Sequence, residues 1–322
     1  MYIVSETVAR RSVTLADAIS LMDEAFRAVV EGDAVAFPVL MCHGTQSNTR
    51  FGVKAALNRK AALPGLKIGS YWPDNSMRGI EAHGSTTILL DDETGFPVAL
   101  VSAGHINGLR TAGADAVGVR ALARPDASHV AIIGAGHQAW YDLKAIAEVR
   151  DVKRVSVWNR SPDKAAAFAR RASDQGFDAQ AVDLEQAVRG ADIIVTATAS
   201  QEPLVQKEWV SPGTHISAMG ADARGKQELD PQLALGAALF AELPEQSVVL
   251  GEFQHAAALG LIGQDAVTPI GAVLNGSQTG RTSADQITIF DSSGIGVQDL
   301  AIAAFAVERA RALDLGTEVD IG

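Results

Sequence analysis

The chain has 322 residues, 47% hydrophobic and 20% charged, with 27 Lys and Arg against 38 Asp and Glu and a formal charge of −11. The length suggests about two domains with a sizeable core, and the acidic balance argues against a nucleic-acid or anionic-membrane surface while leaving room for a local basic pocket. The lone cysteine, Cys42, excludes an intrachain disulfide and is expected as a small buried residue. No apolar run reaches the ~18 residues that span a bilayer and the N-terminus lacks a basic, apolar leader, so a cytoplasmic protein is expected.

In chain order, Leu15, Ala18, Ile19, Met22, Phe26 and Val29 recur at helical spacing, and Thr14 with Asp17 supplies an N-cap, which predicts a helix over 14–30. Ser85–Leu90 and Phe96–Val101 read as a hairpin around the turn Asp91–Gly95. A helix is expected over 106–123. Strand and helix then alternate. Strands are expected at 130–133, 155–158, 193–197, 215–219, 238–241 and 287–290, with helices at 139–149, 162–172 and 184–189. Such alternation predicts a doubly wound parallel sheet. The last helix, 297–312, is Ala-rich with one apolar face; packed back on the N-terminal part, it makes the first domain discontinuous.

The turn after the first buried strand of that region is Gly134-Ala135-Gly136-His137-Gln138-Ala139, a G-x-G-x-x-A pattern. Gly134 permits the tight turn, Gly136 lets a pyrophosphate approach the backbone, and Ala139 lets the helix sit close to the strand. The free N–H groups at the helix start then face the phosphates. With a strand before and a helix and second strand after, the pattern predicts a Rossmann dinucleotide-binding domain. The second strand is followed by Asn159-Arg160-Ser161, not by the acid that binds NAD ribose hydroxyls. Arg160 is suited to a 2′-phosphate. NADH or NADPH is expected, with a slight tilt to NADPH.

Ordered motifs then carry a resemblance. They are Leu66-Lys67 with Pro73 and Asn75, the stretch Asp91–Leu100, Leu109-Arg110-Thr111-Ala112, Ile133–Gly136 and Ala191–Thr198. Ser211–Asp222, Glu228-Leu229-Asp230, Gly251-Glu252, Gly280-Arg281 and Phe290–Gly294 follow. Together they resemble the ornithine cyclodeaminase/mu-crystallin family over nearly the whole chain. The resemblance implies an α/β fold: a Rossmann domain over 121–297 and a discontinuous α+β substrate-binding and dimerisation domain of residues 1–120 and 298–322. It implies a homodimer and nicotinamide-dependent oxidoreductase chemistry at an imino or amino carbon beside a carboxylate. It also implies dinucleotide contacts from Thr111, Thr198, Ala199 and Met219, with Ser293-Gly294 behind the nicotinamide.

In the family pattern Lys67 and Arg110 hold the substrate carboxylate, by a point charge and a planar two-bond grip, and Asp222 acts as the acid/base at nitrogen. Asp222 is expected at the end of a strand, on the carboxyl edge of the sheet where ligands of such folds bind. Lys54 stands where a cyclodeaminase has a carboxylate facing the diamino acid, which replaces attraction of a substrate amine by repulsion. Ornithine is thereby disfavoured and an anionic side group favoured. The expected reaction is reduction of a small imino acid to an L-amino acid, with iminosuccinate to L-aspartate first. Alanine dehydrogenase, cyclodeamination and a non-enzymatic NADPH-binding protein are the alternatives. His83, Arg50 and Arg78 fall in the same region. The other histidines are scattered and read mostly as structural, and no metal is expected.

Overall fold

The computed structural model describes residues 1–321. The N-terminal part forms β1 (Tyr2–Val4), α1 (Glu6–Ser12), α2 (Leu15–Glu31), β2 (Ala34–Ala36), β3 (Leu40–His43), β4 (Arg50–Asn58), β5 (Leu63–Tyr71), β6 (His83–Leu90), β7 (Pro97–Ser102) and α3 (Gly104–Leu122). Next come β8 (His129–Ile133), α4 (His137–Val149), β9 (Arg154–Trp158), α5 (Pro162–Asp174), β10 (Asp178–Ala181), α6 (Leu184–Val188), β11 (Ile193–Thr196), β12 (Gln201–Val205) and β13 (His215–Ala218). The chain ends with β14 (Gln227–Leu229), β15 (Ala237–Ala241), α7 (Pro244–Leu250), α8 (Gln254–Ala258), β16 (Val267–Pro269), α9 (Ile270–Leu274), β17 (Ile287–Asp291), α10 (Gly296–Ala312) and β18 (Thr317–Glu318).

These elements form two compact units, Met1–Arg110 with Ile295–Gly322, and Thr111–Gly294. The breaks precede those expected after residues 120 and 297. The first falls inside the unbroken helix α3, which runs from Gly104 to Leu122 across it.

In the first unit, α2 begins at a capping box between Thr14 and Asp17 and stops at Gly32, whose φ of 80° a side chain disfavours. Its buried stripe is Ala18, Ile19, Met22, Ala25 and Phe26. The sheet runs β18-β1-β7-β6-β5-β4-β2, with β3 paired on β4. α10 returns to this unit and packs on α2 and on β4, β5 and β6. Small residues permit the close approach. A Cβ at Gly65 would meet Ile88 O at 2.5 Å and Leu300 Cδ2 at 2.9 Å, and one at Gly296 would meet Ala55 O at 2.8 Å. Cys42, expected to be buried, is only half-buried, because β3 has β4 as its one pairing partner.

The second unit holds a sheet of order β10-β9-β8-β11-β13-β17-β15-β16, with every neighbouring pair parallel. Its central strands are buried on both faces: no residue of β8, β11 or β13 is exposed. The chain winds outward from β8 through β9 to β10, then resumes on the other side at β11. The order therefore reverses between β8 and β11, and ligands of open α/β sheets bind at such a switch point. Among the described residues, no helix is long and apolar enough to cross a membrane.

Candidate active site

In the second unit, Gly134 follows β8 at that switch point. Its φ is 111°, and a Cβ there would meet Ala197 O at 2.6 Å and Thr198 Cγ2 at 2.9 Å, so glycine is required on two counts. Gly136 caps α4 without a side-chain cap bond, and a Cβ on Gly136 would meet nothing within 4 Å. The helix start thus presents its dipole and open space to a ligand. Ala139 is fully buried, as the close helix–strand packing requires. Ala135 N donates to Asn159 Oδ1 at 3.2 Å, and Asn159 Nδ2 donates to Ser161 O at 3.2 Å. Asn159 therefore ties the glycine turn to the end of β9, while Arg160 is exposed beside it. The His137 ring lies edge-on to Tyr141, and Gln138 Nε2 donates to Asp142 Oδ1 at 2.7 Å. These residues fit a dinucleotide pyrophosphate.

A buried carboxylate binds the two neighbouring loops together. Thr198 N donates to Glu228 Oε1 at 2.6 Å and Gly220 N to Glu228 Oε2 at 3.0 Å. Glu252 in turn accepts from the backbone N–H of Glu228 at 2.9 Å and of Leu229 at 2.7 Å. Burial pushes both carboxyls above the usual range, Glu252 well above it. Met219 is buried next to Gly220, and Ala199 is exposed beside Thr198. On the far side of β13, Glu242 accepts from Ser292 Oγ at 2.6 Å and from Gly294 N at 2.7 Å. Gln246 Nε2 donates at 2.9 Å to both Ser293 Oγ and Gly294 O. The Ser293-Gly294 turn, with φ of 76° at Gly294, is thus fixed from beneath.

Asp222 does not end a strand. β13 stops at Ala218 and Asp222 lies in the loop beyond it, its side chain 54% exposed. Glycines and small residues at 220–225 break the strand pattern that the apolar run 215–219 suggests. Lys226 Nζ bonds Asp222 Oδ1 at 2.6 Å and Gly220 O at 3.0 Å. Gln254 pins the same loop: Oε1 accepts from Gly225 N at 2.8 Å, and Nε2 donates to Ala223 O and Lys226 O at 3.2 Å.

In the first unit, strand register places Lys54 opposite Lys67 and Lys67 opposite Thr87, on the face that α10 covers. Arg110, on α3, meets the same group. Asp299 Oδ1, from the first turn of α10, lies 2.9 Å from Lys67 Nζ and 3.0 Å from Arg110 Nε. Asn107 Oδ1 accepts from Lys67 Nζ at 3.0 Å and from Arg110 at 2.9 Å. Lys67, Arg110 and Asp299 are all buried. Two like cations face each other across β4 and β5, with a third from α3 and one carboxylate among them, so the cluster carries a surplus of positive charge. Burial, with Arg110 and Lys54 adding to it against the pull of Asp299, lowers the Lys67 ammonium to about 7. The three cations hold the Asp299 carboxyl below its ordinary value against the opposing effect of its burial. A surplus of positive charge beside a partly satisfied carboxylate is chemically suited to an anion. Thr111 continues α3, buried, in the second unit.

Sequence reasoning missed Asp299, Asn107, Lys226, Gln254, Glu242 and Gln246. Glu228 and Glu252 stand inside the motifs quoted above, yet nothing in their spacing shows that they bind backbone. Arg78 lies in a 3₁₀ turn (Pro73–Arg78) and is exposed. Among the described residues, no three His, Cys, Asp or Glu are grouped to hold a metal ion.

The chain is 39% identical to iminosuccinate reductase from Paracoccus denitrificans over 321 residues, covering 100% of both chains. The crystal structure of that enzyme in complex with NAD+ matches with a TM-score of 0.94, covering 100% of this chain and 99% of that one. An archaeal alanine dehydrogenase dimer with bound NAD matches with a TM-score of 0.94 at 33% identity, covering 100% of this chain and 99% of that one. Residues 2–314 match the ornithine cyclodeaminase/mu-crystallin family. The chain belongs to the ornithine cyclodeaminase/mu-crystallin family.

Proposed function

We propose that this oxidoreductase uses a reduced nicotinamide dinucleotide to convert a small anionic imino acid into the L-amino acid, iminosuccinate to L-aspartate being the reaction. The observation that carries this reading is the charge of the cluster: half-buried Lys54 with buried Lys67 and Arg110 against Asp299. A positively charged pocket attracts a dianionic imino acid more strongly than a monoanionic one. The identity to an iminosuccinate reductase supports the same substrate. The cluster disfavours a diamino acid, whose side-chain ammonium Lys54 would repel. Reductive amination of pyruvate is the second reading, supported by the likeness to the archaeal alanine dehydrogenase.

The dinucleotide, when bound, supplies hydride for the imine carbon. Gly134, Ala135, Gly136, His137 and Gln138 hold its pyrophosphate, and Thr111, Thr198, Ala199, Met219, Ser293 and Gly294 complete its seat. No acid follows β9, so NADPH is admitted as well as NADH, with Arg160 to meet a 2′-phosphate. Lys67 and Arg110 grip the substrate carboxylate, aided by Lys54. Asp222 orients the imine nitrogen and manages its proton, so that C=N becomes CH–NH after one hydride and one proton are added. Asp222→Asn is expected to lower turnover by about 100-fold or more while leaving dinucleotide affinity unchanged. Undiminished turnover would remove Asp222 from the chemistry.

The substrate-binding unit also forms a homodimer in this reading. Its support is the sheet face opposite α10. There Leu40, Val53 and Ile68 stand side by side in register across β3, β4 and β5, with Leu40 60% and Ile68 37% exposed.

A further inference from the structure

The sheet face that carries Lys54 and Lys67 continues past them. One row consists of Lys54, Lys67 and Thr87, the next of Gly52, Gly69 and Ser85, and the third of Arg50, Tyr71 and His83, each row paired in register across β4, β5 and β6. Residues two apart on a strand share a face, so all three rows lie on one side. The contacts agree: the Arg50 guanidinium is 5.0 Å from the centroid of the Tyr71 ring, and the Tyr71 and His83 rings are 4.7 Å apart.

In the middle row Gly69 stands open, while Met41 lies over Gly52. A Cβ on Gly69 would meet nothing nearer than Lys67 Cε, at 4.0 Å, and its backbone is not left-handed. Neither strain nor crowding demands glycine there, so the missing side chain is open space beside Lys67. At Gly52 the nearest neighbour is the sulfur of Met41, at 2.9 Å, the far part of a flexible side chain. Strand geometry separates the Lys67 and Arg50 rows by about 14 Å at the backbone. Lys67 leans over Gly69, and the open space there lies between it and the Arg50–Tyr71 pair, room for a short diacid. Tyr71 holds one face of the guanidinium and leaves its edge N–H groups to grip a carboxylate by two bonds.

We propose that Arg50, backed by Tyr71 and flanked by His83, is the subsite for the distal carboxylate of the substrate, and selects a four-carbon dicarboxylate imine over its monocarboxylate analogue. This deepens the imine-reduction reading and rests on it for the identity of the substrate, but the binding it requires can be measured without turnover.

The test is a calorimetric titration of the dinucleotide-loaded protein with succinate and with propionate. Succinate is expected to bind about tenfold or more tightly than propionate, the worth of one charged hydrogen-bonded contact. Arg50→Ala is expected to erase that advantage while changing propionate affinity by less than about twofold, and Arg50→Lys to restore part of it. Arg50 is exposed, so an unchanged melting curve should confirm that each variant folds. Equal affinities for succinate and propionate in the unaltered protein would overturn the subsite, and so would an equal loss of both in Arg50→Ala. A succinate advantage in a protein that fails to reduce any imine would instead sink the reaction and leave the subsite standing.

Discussion

The Lys67 ammonium, lowered to about 7 by burial and by Arg110 and Lys54, ties anion binding to pH. Below about pH 7 it is charged and attracts a carboxylate. Above that it is neutral in the anion-free protein, so binding there must take up a proton. Succinate affinity should therefore fall as pH rises through about 7, with proton uptake visible as a buffer-dependent heat. Lys67→Met should flatten the profile; a flat profile in the unaltered protein would refute the assignment. Asp299 is the counterpart. Asp299→Asn leaves Lys67 and Arg110 buried without their counter-ion, and should cost about 3–5 kcal/mol of stability, with succinate recovering part of the melting temperature. Lys67 and Arg110 are legible in the sequence through their motifs. Asp299 is not, because an acid in the first turn of a helix reads as an ordinary partner of the helix dipole, and only the return of α10 onto β5 buries it against two cations.

At the scale of elements, the glycine turn after β8 and the Asp222 loop make separate predictions. Gly134→Ala meets both a φ of 111° and a backbone oxygen at 2.6 Å. It should cost about 1–3 kcal/mol and weaken dinucleotide binding about tenfold or more, measured by fluorescence titration. Gln254→Leu removes the bonds that pin the Asp222 loop. It should lower kcat about tenfold, consistent with the sensitivity of catalysis to misplacement, with little change in dinucleotide affinity; an equal effect on both would mean a general loosening. The long, periodic elements α2, α10 and the parallel strands are readable from hydrophobic pattern. The pieces that shape the site are not: β12, β14 and α8 each have five residues or fewer, too short for a period. The strand expected at 215–219 ends one residue early, and Asp222 stands in the loop beyond. Its partners come from Lys226 and α8, which no local pattern links to it.

At the scale of the whole molecule, the fold class follows from the alternation of strand and helix, whereas the break between the units does not, since α3 crosses it without a turn. The open sheet face with Leu40 and Ile68 predicts self-association. Ile68→Asp with Leu40→Asp should convert a dimer to monomers in sedimentation, and a monomeric unaltered protein would contradict the dimer. Reduction of a dianionic imino acid by this protein can be read in a single assay. Purified protein is mixed with NADH or NADPH, ammonia and either oxaloacetate, pyruvate or glyoxylate, while loss of reduced-cofactor absorbance is followed and the amino acid identified. Oxidation is expected with oxaloacetate plus ammonia, yielding L-aspartate, with much slower turnover of the two monocarboxylates. Preferential turnover of pyruvate, or no oxidation with any of the three, would contradict that expectation.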